Sequence, residues 1–175
     1  MSGNKIIKFL VKDGIVEFED KHAKLIGLYK DMSDDLGSLE EFPIENFNKE
    51  TIEKIRDFCI LHADNFAYGE RFKRDFVPEY MNRNNNNTEI IDIDKLPNCF
   101  LEFIDLPKEL IINIVNASNY LNIPDLLELG SYKISQFIKG MSVEEIRLFF
   151  NITNNGFSNE ELKEINTETD WINYQ

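Results

Sequence analysis

IIKFLVKDGIVEFED, residues 6–20, decides how the rest of the chain is read. The segment alternates on both sides of Asp13-Gly14, a dipeptide that suits the left-handed backbone of a tight hairpin turn. Two short strands are therefore expected. Beyond them the period changes. Residues 20–36 follow a helical pattern, broken near Gly27 and ended by Gly37, with Leu25, Leu28 and Met32 as its buried stripe. After the acidic turn GSLEEFPI, residues 37–44, a short extended piece at residues 42–44 leads to Asn48, an N-cap. Phe47 and Ile52 are placed to staple that cap, and Ile52, Ile55, Phe58 and Cys59 form the inward face of a helix reaching about His62. Strands that give way to helices, without regular βαβ alternation, define an α+β class.

From about residue 65 to 96 the pattern fails. FKRDFVPEYMNRNNNNTEIIDIDK, residues 72–95, contains an Asn-rich tract with too little apolar surface to offset the entropy of ordering, so its centre reads as a mobile loop. Its aromatic residues Phe66, Tyr68, Phe72 and Phe76 make part of the segment expected to pack. Helical stretches follow at residues 105–121 and 124–139. Pro124 suits a helix start, where its missing N–H would be unpaired anyway. Gly140 suits the left-handed residue that ends a helix. Ser142 and Glu145 then form a capping box, with Met141 and Ile146 as its staple, and Ile146, Phe149 and Phe150 fall at i, i+3 and i+4 on one face. The device recurs at Ser158 and Glu161, stapled by Phe157 and Leu162, before a last helix that reaches Trp171.

Composition narrows the function. The chain has 175 residues, 42% hydrophobic, which suffices for one substantial core or one core plus a small appendage. A formal net charge of -13 opposes a nucleic-acid partner, because phosphate backbones are held through Lys and Arg. No apolar run is long enough to span a bilayer, and the apolar stretch near the start is too short for a signal peptide, so no membrane association and a soluble, intracellular protein are expected. Cys59 and Cys99 make no disulfide framework and read as packing residues. CILH, residues 59–62, puts Cys59 and His62 one turn apart, but His22 is the only other histidine and a structural zinc site needs four ligands. No metal or other cofactor is expected. The N-x-[ST] matches at Asn86, Asn116 and Asn151 carry little weight without a secretory signal.

Nor is catalytic machinery visible. The sequence has neither G-x-x-x-x-G-K-[ST] nor G-x-G-x-x-G, and no motif surrounds a histidine that could activate either cysteine. The acid pairs Glu144-Glu145 and Glu160-Glu161 sit in first helical turns, where carboxylates favour the macrodipole. Composition and pattern lead to an acidic α+β interaction module, not an enzyme.

NASNYLNIPDLLELGSYKISQFIKGMSVEEIRLFFNI, residues 116–152, closely resembles the Skp family, the S-phase kinase-associated protein 1 adaptors of SCF ubiquitin ligases. The matching elements are Asn119-Tyr120-Leu121, Ile123, Leu126-Leu127, Ile138-Lys139-Gly140, Glu144-Glu145-Ile146-Arg147, Phe150-Asn151-Ile152 and Trp171. They fit almost without gaps, the extra residue near 154–156 being the main slip. Asp13-Gly14, Ala23-Lys24, Leu36-Gly37, Pro43, Asn46, Asn48, Cys59 and Phe103 extend the resemblance toward the start. Only the Asn-rich segment lacks a clear counterpart.

The resemblance implies a BTB/POZ-like domain over residues 1–121, with residues 65–96 as an irregular insert, followed by F-box-binding helices over residues 122–175. It implies an adaptor that bridges a cullin and an F-box protein. Asn119 and Tyr120 match the positions that face the cullin; Leu126, Ile146, Phe149, Phe150, Ile152 and Trp171 are expected on the F-box side, with some of Ile146, Phe149, Phe150 and Ile152 packing internally. Met141, Phe149, Gly130-Ser131 and the apolar LIGLY, residues 25–29, depart from the family pattern. Each bears on the range of F-box partners or on the strength of the cullin contact. The alternative readings are a cullin-independent competitor for F-box proteins, including a viral decoy, and a self-associating BTB module. Asn- and Ile-rich usage hints at an AT-rich source, a protist or a large DNA virus; the protein is expected in the cytoplasm, the nucleus or both, those of the host cell if the source is viral.

Overall fold

A computed structural model describes residues 5–37, 39–67, 69–76 and 89–152. The chain divides into two compact units, Met1–Phe137 and Ile138–Gln175. In the first, the expected hairpin is present: β1 (Ile6–Val11) and β2 (Gly14–Glu19) pair antiparallel from Ile6↔Glu19 to Val11↔Gly14. Helical turn α1 (Asp20–Ala23) and helix α2 (Gly27–Leu36) carry the chain across to β3 (Glu41–Ile44), which lies parallel to β1 on its other side. The order is β2-β1-β3. Alternation sends Ile7, Phe9, Val11, Val16, Phe18, Phe42 and Ile44 inward. The rings of Phe18 and Phe42 centre 4.2 and 4.9 Å from that of Phe9.

The buried residue of α2 is Tyr29, which the expected stripe of Leu25, Leu28 and Met32 omitted; those three are only partly buried. Its phase shifts because the helix restarts at Gly27. There a Cβ would stand 2.6 Å from Asn122 Nδ2 and 2.7 Å from Asn122 O, so only glycine admits this approach. The Tyr29 hydroxyl donates to Asp20 Oδ1 at 3.0 Å, and burial, followed by that carboxylate, pushes the phenol up to about 12.

Helix α3 (Lys49–Asn65) begins where Asn48 was expected to cap it: Asn48 Oδ1 accepts from the Thr51 N–H at 3.0 Å. The hairpin turn adds a second cap, Asp13 Oδ1 accepting from the Lys49 N–H at 2.6 Å. Ile52, Ile55, Phe58 and Cys59 are buried, as their spacing predicts. Strands β4 (Arg74–Phe76) and β5 (Glu89–Ile91) form a separate antiparallel pair, and the Asn-rich centre between them lies outside the described residues. Phe72 is buried and Phe66 partly so, both near Phe100; Tyr68 and the Phe76 side chain fall outside the description.

Helices α4 (Asn98–Phe103), α5 (Lys108–Tyr120) and α6 (Pro124–Ile138) complete the first unit's described part. Pro124 opens α6 as expected. Gly130 lets α6 approach α5, since a Cβ there would meet Val115 Cγ2 at 2.5 Å. The first unit runs to Phe137, past the division at residue 121 that the resemblance suggests. Leu126 and Leu129, both fully buried, belong to its core. In the second unit α7 (Val143–Phe149) carries the full capping box: Ser142 Oγ accepts from the Glu145 N–H, and Glu145 Oε2 accepts from the Ser142 N–H at 2.7 Å. The Ser158 helix lies outside the described residues. The α+β class is borne out.

Candidate partner-binding surfaces

The end of α5 is fixed by its backbone. Asn122 takes φ 55°, so the Ile123 N–H reaches Ser118 O at 2.9 Å and the Asn122 N–H reaches Asn119 O at 3.3 Å. This is the paired closure of a Schellman motif, with asparagine where glycine is more usual. The freed carbonyls of Leu121 and Asn122 in turn accept the N–H groups of Leu28 and Gly27, each at 3.1 Å. One helix end thus satisfies another helix start. The last turn of α5 is held from both sides, and on it Asn119 is exposed and Tyr120 is 49% exposed. The Tyr120 ring lies edge-on to Phe47, 5.5 Å between centroids. Phe47, expected only as a staple, therefore shares this surface.

Leu126 must be corrected. Expected on the F-box side, it is fully buried in the core, so its side chain offers nothing to a partner in this arrangement. Its neighbour Asp125 explains why this helix start is held so firmly. The Asp125 carboxylate accepts from the Phe72 N–H at 3.1 Å and from Arg71 at 2.9 Å, and His62 Nε2 lies 3.3 Å from it. Burial alone would raise this carboxyl, but hydrogen bonds from His62, Phe72 and Arg71 hold it below the ordinary carboxylate range. With Nε2–H donating to Asp125, the buried Nδ1 of His62 has no partner. Beside the knot opens a cleft of about 230 Å³, with Leu25, Phe58 and Ile123 among its apolar walls and Lys24, Lys30 and Arg71 among its basic ones.

In the second unit, α7 closes by the same device as α5: Asn151 takes φ 54°, with the Ile152 N–H on Arg147 O at 2.9 Å and the Asn151 N–H on Leu148 O at 3.1 Å. Phe150 is 36% exposed and Ile152 57%, while Ile146 and Phe149 are half-buried. Val143 and Leu148, 64% and 75% exposed, are apolar surface that the i, i+3, i+4 reading missed. Val143 continues that stripe one turn earlier, three residues before Ile146, whereas Leu148 falls off it and shows itself only when α7 is placed. Trp171 lies outside the described residues.

Burial pushes the Cys59 thiol up to about 12, leaving it inert as a nucleophile. Among the described residues no group of three His, Cys, Asp or Glu side chains could hold a metal ion, and no helix is long and apolar enough to cross a membrane. What the geometry offers is exposed apolar surface on well-capped helix ends.

Comparison with known proteins gives that surface a context. Residues 124–172 match the family model described as Skp1 family, dimerisation domain. The chain is 33% identical over 173 residues, 97% of its length and 95% of the other, to an S-phase kinase-associated protein 1 homolog of Tetrahymena thermophila. It is 36% identical over 146 residues to the E3 ubiquitin ligase complex SCF subunit sconC of Talaromyces stipitatus, covering 82% of this chain and 81% of that one. A protein of the same description from Aspergillus terreus is 31% identical over 173 residues, 98% of each chain. The chain belongs to the Skp1 family.

Proposed function

We propose that the protein is the adaptor subunit of an SCF-type ubiquitin ligase, a non-catalytic bridge between a cullin and an F-box protein. The observation that carries this reading is similarity along nearly the whole chain to one relative named S-phase kinase-associated protein 1 homolog and another named as an SCF subunit, since a bridge needs both of its ends. Asn119 and Tyr120, with Phe47 beside them, form the cullin contact. An exposed tyrosine braced by an aromatic neighbour supplies a large, preorganised apolar area with a polar tip, which suits an interface anchor. Val143, Ile146, Leu148, Phe149, Phe150 and Ile152 on and beside α7, together with Trp171, meet the F-box.

The test separates the two ends. Asn119→Lys with Tyr120→Ala should weaken cullin binding by about 2 kcal/mol or more, a hot-spot loss, and leave F-box binding nearly unchanged. Calorimetry against a purified cullin N-terminal region and an F-box protein reads both. If the wild type binds the F-box protein and not the cullin, the protein is a competitor. If it binds neither, the adaptor reading fails.

A further inference from the structure

We infer that the solvent face of the three-stranded sheet docks an amphipathic helix of a partner protein, apolar at i, i+3 or i+4, and i+7 and flanked by Lys or Arg. The strand register places Ile15, Leu10 and Pro43 in one row across β2, β1 and β3. A sheet covered on one face only should present polar side chains on the other, yet Ile15 is 49% exposed, Pro43 is exposed and Leu10 is half-buried. Neighbouring strands stand 4.7–4.9 Å apart, so the row spans roughly 10 Å. A helix rising 1.5 Å per residue covers that distance in about seven residues, the spacing of one apolar stripe over two turns.

Charge selects among such helices. The next row is Glu17, Lys8 and Glu41, two carboxylates to one ammonium, and the whole chain carries -13. An acidic helix would be repelled at the encounter and along the row; a basic one is attracted at both. The row lies on the face opposite Phe9 and uses none of the residues assigned to the cullin or the F-box.

The experiment selects a phage-displayed library of randomised helices on the full chain, then measures the enriched peptides by fluorescence anisotropy. Targets are the wild type, Ile15→Lys and the double variant Glu17→Lys with Glu41→Lys, each checked by thermal melting. These positions are exposed, so the variants should melt like the wild type. The expected outcome is a set of Lys- or Arg-flanked stripes that bind each variant at least tenfold more weakly and lose affinity as salt rises. Enrichment of acidic or uncharged stripes, peptides indifferent to the substitutions, or no peptide that depends on Ile15 would overturn the inference. So would self-association of the wild type, seen by sedimentation, that Ile15→Lys abolishes, because the occupant would then be a second copy.

Discussion

Asp125 gathers donors from two other parts of the chain, and removing it would strand them. Asp125→Ala leaves His62, Arg71 and the Phe72 N–H without their acceptor in a largely buried place, and should cost about 3 kcal/mol by urea denaturation. Its lowered pKa also fixes a sign. A carboxyl that binds its proton less readily when folded stabilises the protein above its unfolded pKa and gives that stability up as acid reaches it. For Asp125 the loss begins near the ordinary value of 3.8 and continues below. His22 acts earlier. Its own burial, then Lys21, hold it below 6.5, so its contribution is present above 6.5 and fades as pH falls through the lowered value. Urea midpoints should therefore decline from pH 7 toward 5, and His22→Gln should flatten that decline. At Gly27 the issue is space. Gly27→Ala drives a Cβ against the backbone oxygen of Asn122 and should cost about 1–3 kcal/mol.

Among the elements, helix ends were the most legible features and also the ones most often misjudged. Asn48 and the Ser142–Glu145 box could be read directly, because each is a local signal in which a side chain and its target lie three residues apart; the cap that Asp13 gives Lys49 from 36 residues away could not. The left-handed closures at Asn122 and Asn151 carry no glycine to announce them, although both asparagines precede isoleucine at a helix end. Asn151→Ala should cost about 1–2 kcal/mol locally, the strain of a left-handed alanine, while Asn151→Gly should be tolerated. Amide exchange at Asn151 and Ile152 would show it. Tyr29 escaped because its phase depends on where Gly27 meets Asn122, 95 residues away by their numbers. The Asp125 knot escaped for the same reason: its partners are separated by 53 to 63 residues, and no periodicity encodes that. Leu126 shows the converse error, a resemblance assigning to a surface what packing places inside.

At the scale of the whole molecule, the proposed contact surfaces share no residue, so each should accept substitution without disturbing the others. The surfaces proposed here sit on an exposed helix end, on a short capped helix and on the open face of a sheet. The pairing of β4 with β5 bears on how such a chain tolerates change. Phe76 pairs with Glu89, so the two points where the described chain breaks off and resumes stand side by side. Closing a flexible loop costs free energy that grows only with the logarithm of its length, roughly 0.6 kcal/mol per doubling. Twelve Gly/Ser residues inserted between Asn84 and Asn85 should therefore lower stability by less than about 1 kcal/mol, as urea denaturation would measure. Over generations, the gene could lengthen or shorten in frame at this point while every other paired residue kept its partner. A fluorescent domain whose two ends lie close together could be grafted into the same gap, reporting on the adaptor from inside its own sequence.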